Sequence, residues 1–215
     1  MEINKLLTTV NFKKGNGKQN KYIVIHYVGA TGGALSNCKY FQSNYRGSSA
    51  HYFVGHQGEV WQCVEDKDIA WHCGASVYKH AYCRNENSIS IELCCKQNID
   101  GSWYFEDATV KTAIELTKQL MKKYNIPIGN VIRHYDVTGK TCPEPFVRDA
   151  AYWNEFKESL IEEKNTLDNT PDAYAKEAIE WAIKNDVLKG SNGNYKLHSP
   201  ITRQEALVFL YRALK

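Results

Sequence analysis

Ser88-Ile-Ser-Ile-Glu-Leu-Cys94 alternates strictly, with Ile89, Ile91 and Leu93 on one face and Ser88, Ser90 and Glu92 on the other. Successive side chains of a strand point to opposite faces, so the apolar set reads as the buried side of a strand. Upstream, Tyr22-Ile-Val-Ile-His-Tyr-Val28 is an apolar, β-branched run that stops at Gly29. Such a run reads as a strand covered on both faces, the habit of parallel sheets. Helical spacing follows it at Ala34, Leu35, Cys38, Phe41 and Tyr45, and a longer stripe marks Val110, Ala113, Ile114, Thr117, Leu120, Met121 and Tyr124. Ala50–Val54 and Glu59–Val64 flank Gly55-His-Gln-Gly58, a hairpin signal. Asn130-Val-Ile-Arg-His134 reads as a brief strand and Asp149–Glu162 as a last helix. Strands and helices interleave, which predicts an α/β fold with a central mixed sheet flanked by helices.

The 215 residues suit one medium domain with a small appendix. The stretch from Glu162 to Asp172 is polar and rich in breakers. It divides a main domain, 1–163, from a linker, 164–172, and a helix–loop–helix module, 173–215. Thr170-Pro171 has the form of an N-cap followed by proline at the first helical position, and Tyr174, Ala178, Trp181 and Ala182 continue that helix. Lys189-Gly-Ser-Asn-Gly-Asn194 breaks it, and Thr202-Arg-Gln-Glu205 is a capping box that opens a second helix. A module of about 45 residues is short of an independent core, so it should lean on the main domain, a ligand or a second copy.

Lys and Arg number 27 against 24 Asp and Glu, and a net charge of +3 disfavours nucleic-acid binding through a basic face. Aromatic residues reach 12%, with 14 Tyr and 5 Trp, which favours contact with planar or sugar-like partners. The first ten residues have no apolar core of signal-peptide length, and Tyr22–Cys38 falls short of a membrane span. The expectation is synthesis in a reducing cytoplasm with the seven cysteines mostly as thiols. Cys38, Cys63, Cys73 and Cys83 read as small buried hydrophobes, while alternation puts one of Cys94 and Cys95 inside and one outside.

His26 lies within an apolar strand, His134 ends another, and Cys142 follows eight residues later in Gly139-Lys-Thr-Cys-Pro143. Two imidazoles and a thiolate suit tetrahedral Zn2+ with its fourth position open, the arrangement of catalytic zinc. Each histidine alone is also what a satisfied core histidine looks like, and HExxH and CxxC are both lacking.

The order of blocks carries more. Val24-Ile-His26, Ser49-Ala-His-Tyr-Phe-Val54, Gly58-Glu-Val-Trp-Gln62, Ala70-Trp-His-Cys-Gly74, Asn87–Leu93, Ile132-Arg-His-Tyr-Asp136 and Gly139–Pro143 follow in turn. Over about residues 20–160 this series resembles the zinc-dependent N-acetylmuramoyl-L-alanine amidases, which share their fold with peptidoglycan recognition proteins, and is most similar to phage endolysins. The resemblance implies a shallow groove over one Zn2+ and hydrolysis of the amide between the N-acetylmuramic acid lactyl group and L-alanine in peptidoglycan. It makes His26, His134 and Cys142 the zinc ligands, Glu92 the catalytic acid/base and Lys140 the contact to the reacting carbonyl. It also places His72 and His51 near the substrate. Each of these four has a plain structural alternative: a solvated carboxylate, a turn lysine and two internally hydrogen-bonded histidines. His56, His80 and His198 read as surface residues.

The tail from Asp172 to Gly190 with Ser199–Glu205 resembles one S-layer homology motif, a family that binds secondary cell-wall polymers. The resemblance points to Thr202-Arg203; the capping box already accounts for Thr202, which leaves Arg203 as the candidate polymer contact. Such motifs usually come in threes, so self-association, weak anchoring or simple packing are alternatives. From Leu167 onward seven basic residues meet six acidic ones, which argues against plain electrostatic adhesion. The expectation is an endolysin of a Gram-positive host, without membrane insertion, that reaches the wall after release at lysis. A host autolysin or spore-lysis amidase is the alternative, and a non-catalytic peptidoglycan receptor, a kind that commonly lacks the cysteine, is a third.

Overall fold

The order along the chain is β1 (Asn4–Lys5), β2 (Phe12–Lys13), β3 (Tyr22–Tyr27), α1 (Ala34–Gln42), β4 (Tyr52–Val54), β5 (Val60–Gln62), β6 (Ile69–Ala70), β7 (Ser88–Leu93), β8 (Lys96–Gln97), β9 (Trp103–Tyr104), α2 (Asp107–Tyr124), β10 (Val131–Arg133), α3 (His134–Thr138), α4 (Glu144–Arg148), α5 (Ala150–Ser159), α6 (Lys176–Lys184) and α7 (Arg203–Ala213). This computed structural model describes residues 1–16, 20–161, 168–190 and 194–214. It divides into two units, Met1–Ile161 and Glu162–Lys215.

The first unit is built on a six-stranded mixed sheet in the order β1-β5-β4-β7-β3-β10. Only β4 and β5 run antiparallel, as a hairpin that turns through Gly58 with φ +82°. Its other neighbours are parallel. The two strands that decide the fold lie side by side, Ile23 beside Ile89, Ile25 beside Ile91 and His26 beside Glu92. Ile23, Ile25, Ile89, Ile91 and Leu93 share one core with Leu116 and Leu120 of α2 and Phe156 of α5. Burying that much branched apolar surface is the main drive for the helices to close over this face.

Most of the opposite face is covered too, contrary to the usual habit of an alternating strand, with Glu92 alone in β7 partly exposed. Ser88 and Ser90 are as buried as Ile89 and Ile91 beside them. The segment from β5 to β7 covers them, bringing Cys73 and Cys83 against Tyr22 and Val24. Cys94 and Cys95 are likewise both buried, in two different clusters, so the expectation of one inside and one outside fails. All seven cysteines are buried free thiols.

Helix α1 stops at Gln42 instead of reaching Tyr45, because Thr8 and Asn11 side chains donate to the Phe41 carbonyl and Asn11 also donates to that of Asn44. Helix α2 starts three residues before the predicted stripe and rotates it, burying Leu116 in place of Ile114. The short edge strand β1 and the β8–β9 ribbon have no periodicity to announce them, although Asp100-Gly101 at the ribbon's tip is a turn signal.

In the second unit the N-terminal expectation fails. Thr170 and Pro171 precede a turn, and α6 begins only at Lys176 without a side-chain cap. The Thr202–Glu205 capping box is formed, Thr202 Oγ1 accepting from Glu205 N and Glu205 accepting from Thr202 N. His198, exposed as expected, pairs with Asp168 at 2.6 Å. Neither α6 nor α7 buries a residue fully among those described. Positions 164–167 of the expected linker and 191–193 of the expected loop lie outside the described residues.

Candidate metal centre and active site

Strand register builds the site. His26 and Glu92 are the penultimate residues of adjacent parallel strands, and His26 Nδ1 lies 3.9 Å from Glu92 Oε1. On the other side of β3, Arg133 pairs with Ile25, so the next residue, His134, arrives beside His26 with ring centroids 4.6 Å apart. The predicted strand ends one residue early, and His134 opens α3. Arg133 holds that corner by a two-armed contact to Asp136 and by donating to the Phe146 carbonyl. Gly139, at φ +87°, closes α3 in the left-handed region that favours glycine and turns the chain back. Tyr135 N then donates to the Cys142 carbonyl, and Cys142 Sγ comes to 3.7 Å from His26 Nδ1.

The ligand atoms of His26, His134 and Cys142 all lie within 4.8 Å of one another, and all three residues are buried. Burial drives every one of these groups toward its uncharged form. His26 is held well below the ordinary histidine value and His134 down at about 4, while Cys142 rises to about 12. Glu92 rises to about 8, and the charge of Lys140 works against that rise. The same lysine charge opposes protonation of both histidines. Within this pocket His134 Nδ1 and Glu92 Oε2 are buried without a hydrogen-bond partner among the described residues. Orphaned lone pairs beside a buried thiol and two neutral imidazoles are what a soft divalent cation satisfies. The donor set fits zinc.

The other histidines lie elsewhere than the sequence suggested. His51 is 0% exposed, so no substrate can reach it. Its Nδ1 accepts from Ser90 N, and its Nε2 donates to the Asp68 carbonyl. His72, partly exposed, has both ring nitrogens bonded within the protein: Nδ1 meets His26 Nε2 at 3.1 Å, and Nε2 meets Ser88 Oγ at 3.1 Å. His51 lies inside because the polar face of β7 around Ser90 is covered. His80 Nδ1 accepts from the main chain at Tyr82 and Cys83, which makes it a loop brace. Lys140 is exposed beside the pocket, and Arg203 is exposed as the first residue of α7 in the second unit. The sequence marks Tyr27, next to His26, as a pocket-wall residue but not its partners: it donates to Glu144 Oε2 at 3.3 Å and packs edge-on against Trp103.

His51 has a consequence for acid stability. Protonating Nδ1 would set its N–H against the Ser90 N–H, and burial holds its pKa down at about 4, against the usual 6.5. A depressed histidine value means stability that is present above about pH 6.5 and lost as pH falls toward 4. The melting temperature of metal-free protein is therefore expected to drop over that window, less steeply in His51→Asn, whose amide oxygen can still accept from Ser90. A flat profile from pH 6.5 to 4 would rule out the neutral, buried histidine.

A mixed α/β sheet with two histidines, a cysteine and a glutamate brought together near the ends of parallel strands defines a class, that of α/β domains with a candidate His-His-Cys metal site. Within that class the chain belongs to the N-acetylmuramoyl-L-alanine amidase family, whose description residues 16–145 match. It is 34% identical over 189 residues to the N-acetylmuramoyl-L-alanine amidase CwlL of Bacillus licheniformis, across 81% of this chain and 50% of that one. Among solved structures, PlyL superposes with a TM-score of 0.63 at 26% identity, covering 75% of this chain and 98% of the other. A mutant endolysin from Bacillus subtilis gives 0.61 at 26%, covering 75% and 99%. The chain spans half or less of the length of the first curated relatives it matches.

Proposed function

We propose that this chain is a zinc-dependent N-acetylmuramoyl-L-alanine amidase that hydrolyses the lactyl–L-alanine amide of peptidoglycan. The observation that carries the reading is the convergence of His26, His134 and Cys142 with Glu92 at their edge. Zinc, when bound there, supplies water activation at neutral pH and polarisation of the scissile carbonyl. Glu92, within reach of the same pocket, accepts the proton of the attacking water on its carboxylate and hands it to the leaving amine of L-alanine. Lys140 offers positive charge to the oxyanion that develops on the carbonyl oxygen. Tyr27, Trp103 and Glu144 form a wall against which the stem peptide is oriented. The complete donor set speaks against a non-catalytic receptor.

In biological terms the reading is an endolysin of a Gram-positive host, made in the cytoplasm and acting on the wall after release at lysis. The likeness to endolysin structures supports it. The second unit is proposed as a wall-targeting module of S-layer homology type, with Arg203 as its polymer contact. Its outward Trp181, Leu207, Leu210 and Tyr211 suit either polymer docking or self-association. Digestion of purified peptidoglycan tests the chemistry: new N-terminal L-alanine is expected without new reducing sugar ends. A chain ending at Ile161 is expected to give the same products. Reducing ends without free L-alanine would replace this reading with a glycosidase.

A further inference from the structure

Behind the metal-facing side of His26 runs an unbroken chain of hydrogen bonds. Ser88 Oγ lies 2.6 Å from the Arg84 carbonyl oxygen, which can only accept, so the single hydroxyl proton of Ser88 points there. Ser88 Oγ can then only accept from the ring nitrogen on its other side, and His72 Nε2, 3.1 Å away, must carry a proton. A neutral imidazole has one N–H, so His72 Nδ1 is left as a lone pair. That lone pair faces His26 Nε2 at 3.1 Å, and the two rings meet edge-on at 89°. His26 therefore holds its proton on Nε2 and presents a bare Nδ1 toward Cys142 and Glu92.

The chain is anchored at both ends. Asn85 Oδ1 accepts from the main-chain N–H groups of His72 and Cys73, which fixes the backbone that carries the ring. Ser88 is the first residue of β7 and pairs in register with Tyr22 of β3, the strand that carries His26. One carbonyl in the loop before β7 thus dictates which nitrogen of a ligand histidine is free.

We infer that His72, oriented by Ser88 and the Arg84 carbonyl, is a positioning residue that locks His26 in its metal-binding tautomer. The inference rests on the reading of His26, His134 and Cys142 as a zinc site. Without Ser88 as acceptor, His72 can move its proton to Nδ1 and donate to His26. That would force the His26 proton onto Nδ1, where it blocks the ion. The lock costs nothing at the moment of binding because it is made by folding, and it raises the basicity of the ligand nitrogen.

Two measurements on the full chain test this. In metal-free protein, 15N-resolved spectra of the histidine rings are expected to show His26 and His72 both protonated at Nε2. In Ser88→Ala the His72 signature is expected to shift toward the other tautomer. Zinc affinity, measured by competition with a chromogenic chelator, is expected to fall about 10- to 100-fold in Ser88→Ala and His72→Ala. His72→Asn, whose amide oxygen can still accept from His26 Nε2, is expected to recover most of the loss. A merely structural role for His72 would not distinguish alanine from asparagine in this way. His26 protonated at Nδ1 in the wild type, or zinc affinities of both alanine variants within twofold of it, would overturn the inference while leaving the zinc site intact. Failure of the wild type itself to bind zinc would overturn both.

Discussion

Cys142→Ala is expected to bind no stoichiometric zinc and to cleave peptidoglycan at least a thousandfold more slowly than the intact chain. The size follows from the several kilocalories per mole that a catalytic ion contributes to a transition state, each 1.36 kcal/mol being about tenfold in rate. Cys142 is the one proposed ligand that a loop supplies rather than a strand or helix end, and its sulfur lies 3.7 Å from His26 Nδ1. Removing it leaves two neutral histidines, which bind zinc too weakly to retain it through dialysis. The fold should persist, since Cys142 takes no part in the clusters that hold the sheet to its helices. Metal content by elemental analysis and release of L-alanine amino groups are the two measurements. Wild-type rates from Cys142→Ala, or full activity of the wild type after exhaustive chelation, would remove the metal from the mechanism. Restoration of chelated wild type by added zinc is the matching positive control.

Glu92→Gln is the second large effect, expected to keep zinc and to lose 10²- to 10⁴-fold in turnover, the usual yield of a positioned acid/base. The substitution keeps shape and removes only the capacity to take up a proton. Burial pushes the Glu92 carboxyl up to about 8, with Lys140 pulling the other way. A dication beside it would favour the carboxylate further. The acid limb of the pH–rate profile should therefore report this group and vanish in the variant. Stability should move in the opposite direction. In metal-free protein a raised carboxyl value means folding is favoured below about 4.5 and disfavoured progressively up to pH 8. Glu92→Gln should thus melt no lower than the wild type at pH 8, because it removes the buried negative charge that desolvation penalises. A variant with unchanged turnover would assign the proton transfer to another group.

These two residues illustrate how far a linear reading reaches. The alternation of Ser88–Leu93 placed Glu92 opposite the isoleucines without reference to any relative, because a strand's period of two leaves no third choice. The β-branched run at Tyr22 gave a buried parallel strand for the same kind of reason, and the resemblance named its histidine and the two partners from distant segments. The capping box at Thr202–Glu205 was legible because it is made entirely within four residues. Thr170-Pro171 carried an equally local signal and did not start a helix, since a cap offers only a start that the following residues must take up.

What the sequence by itself determined is the longer strands and helices, the faces of the two central strands and the chemical identity of the candidate donors. Period and residue type are local properties, and they survive in any context that folds. What only the tertiary structure decided is what covers the polar face. Cys142 lies 116 positions from His26, and His72 lies 46 positions from it. Their meeting depends on strand register and on the path of the segment between β5 and β7. Alternation tells that Ser88 and Ser90 turn away from the core, but not that a second layer of protein lies against them. That layer turned one expected substrate contact, His51, into a buried support, and tied both ring nitrogens of the partly exposed His72 to protein partners. A hydrogen bond is satisfied by whichever partner the packing brings within about 3 Å, and no periodicity records which partner that is.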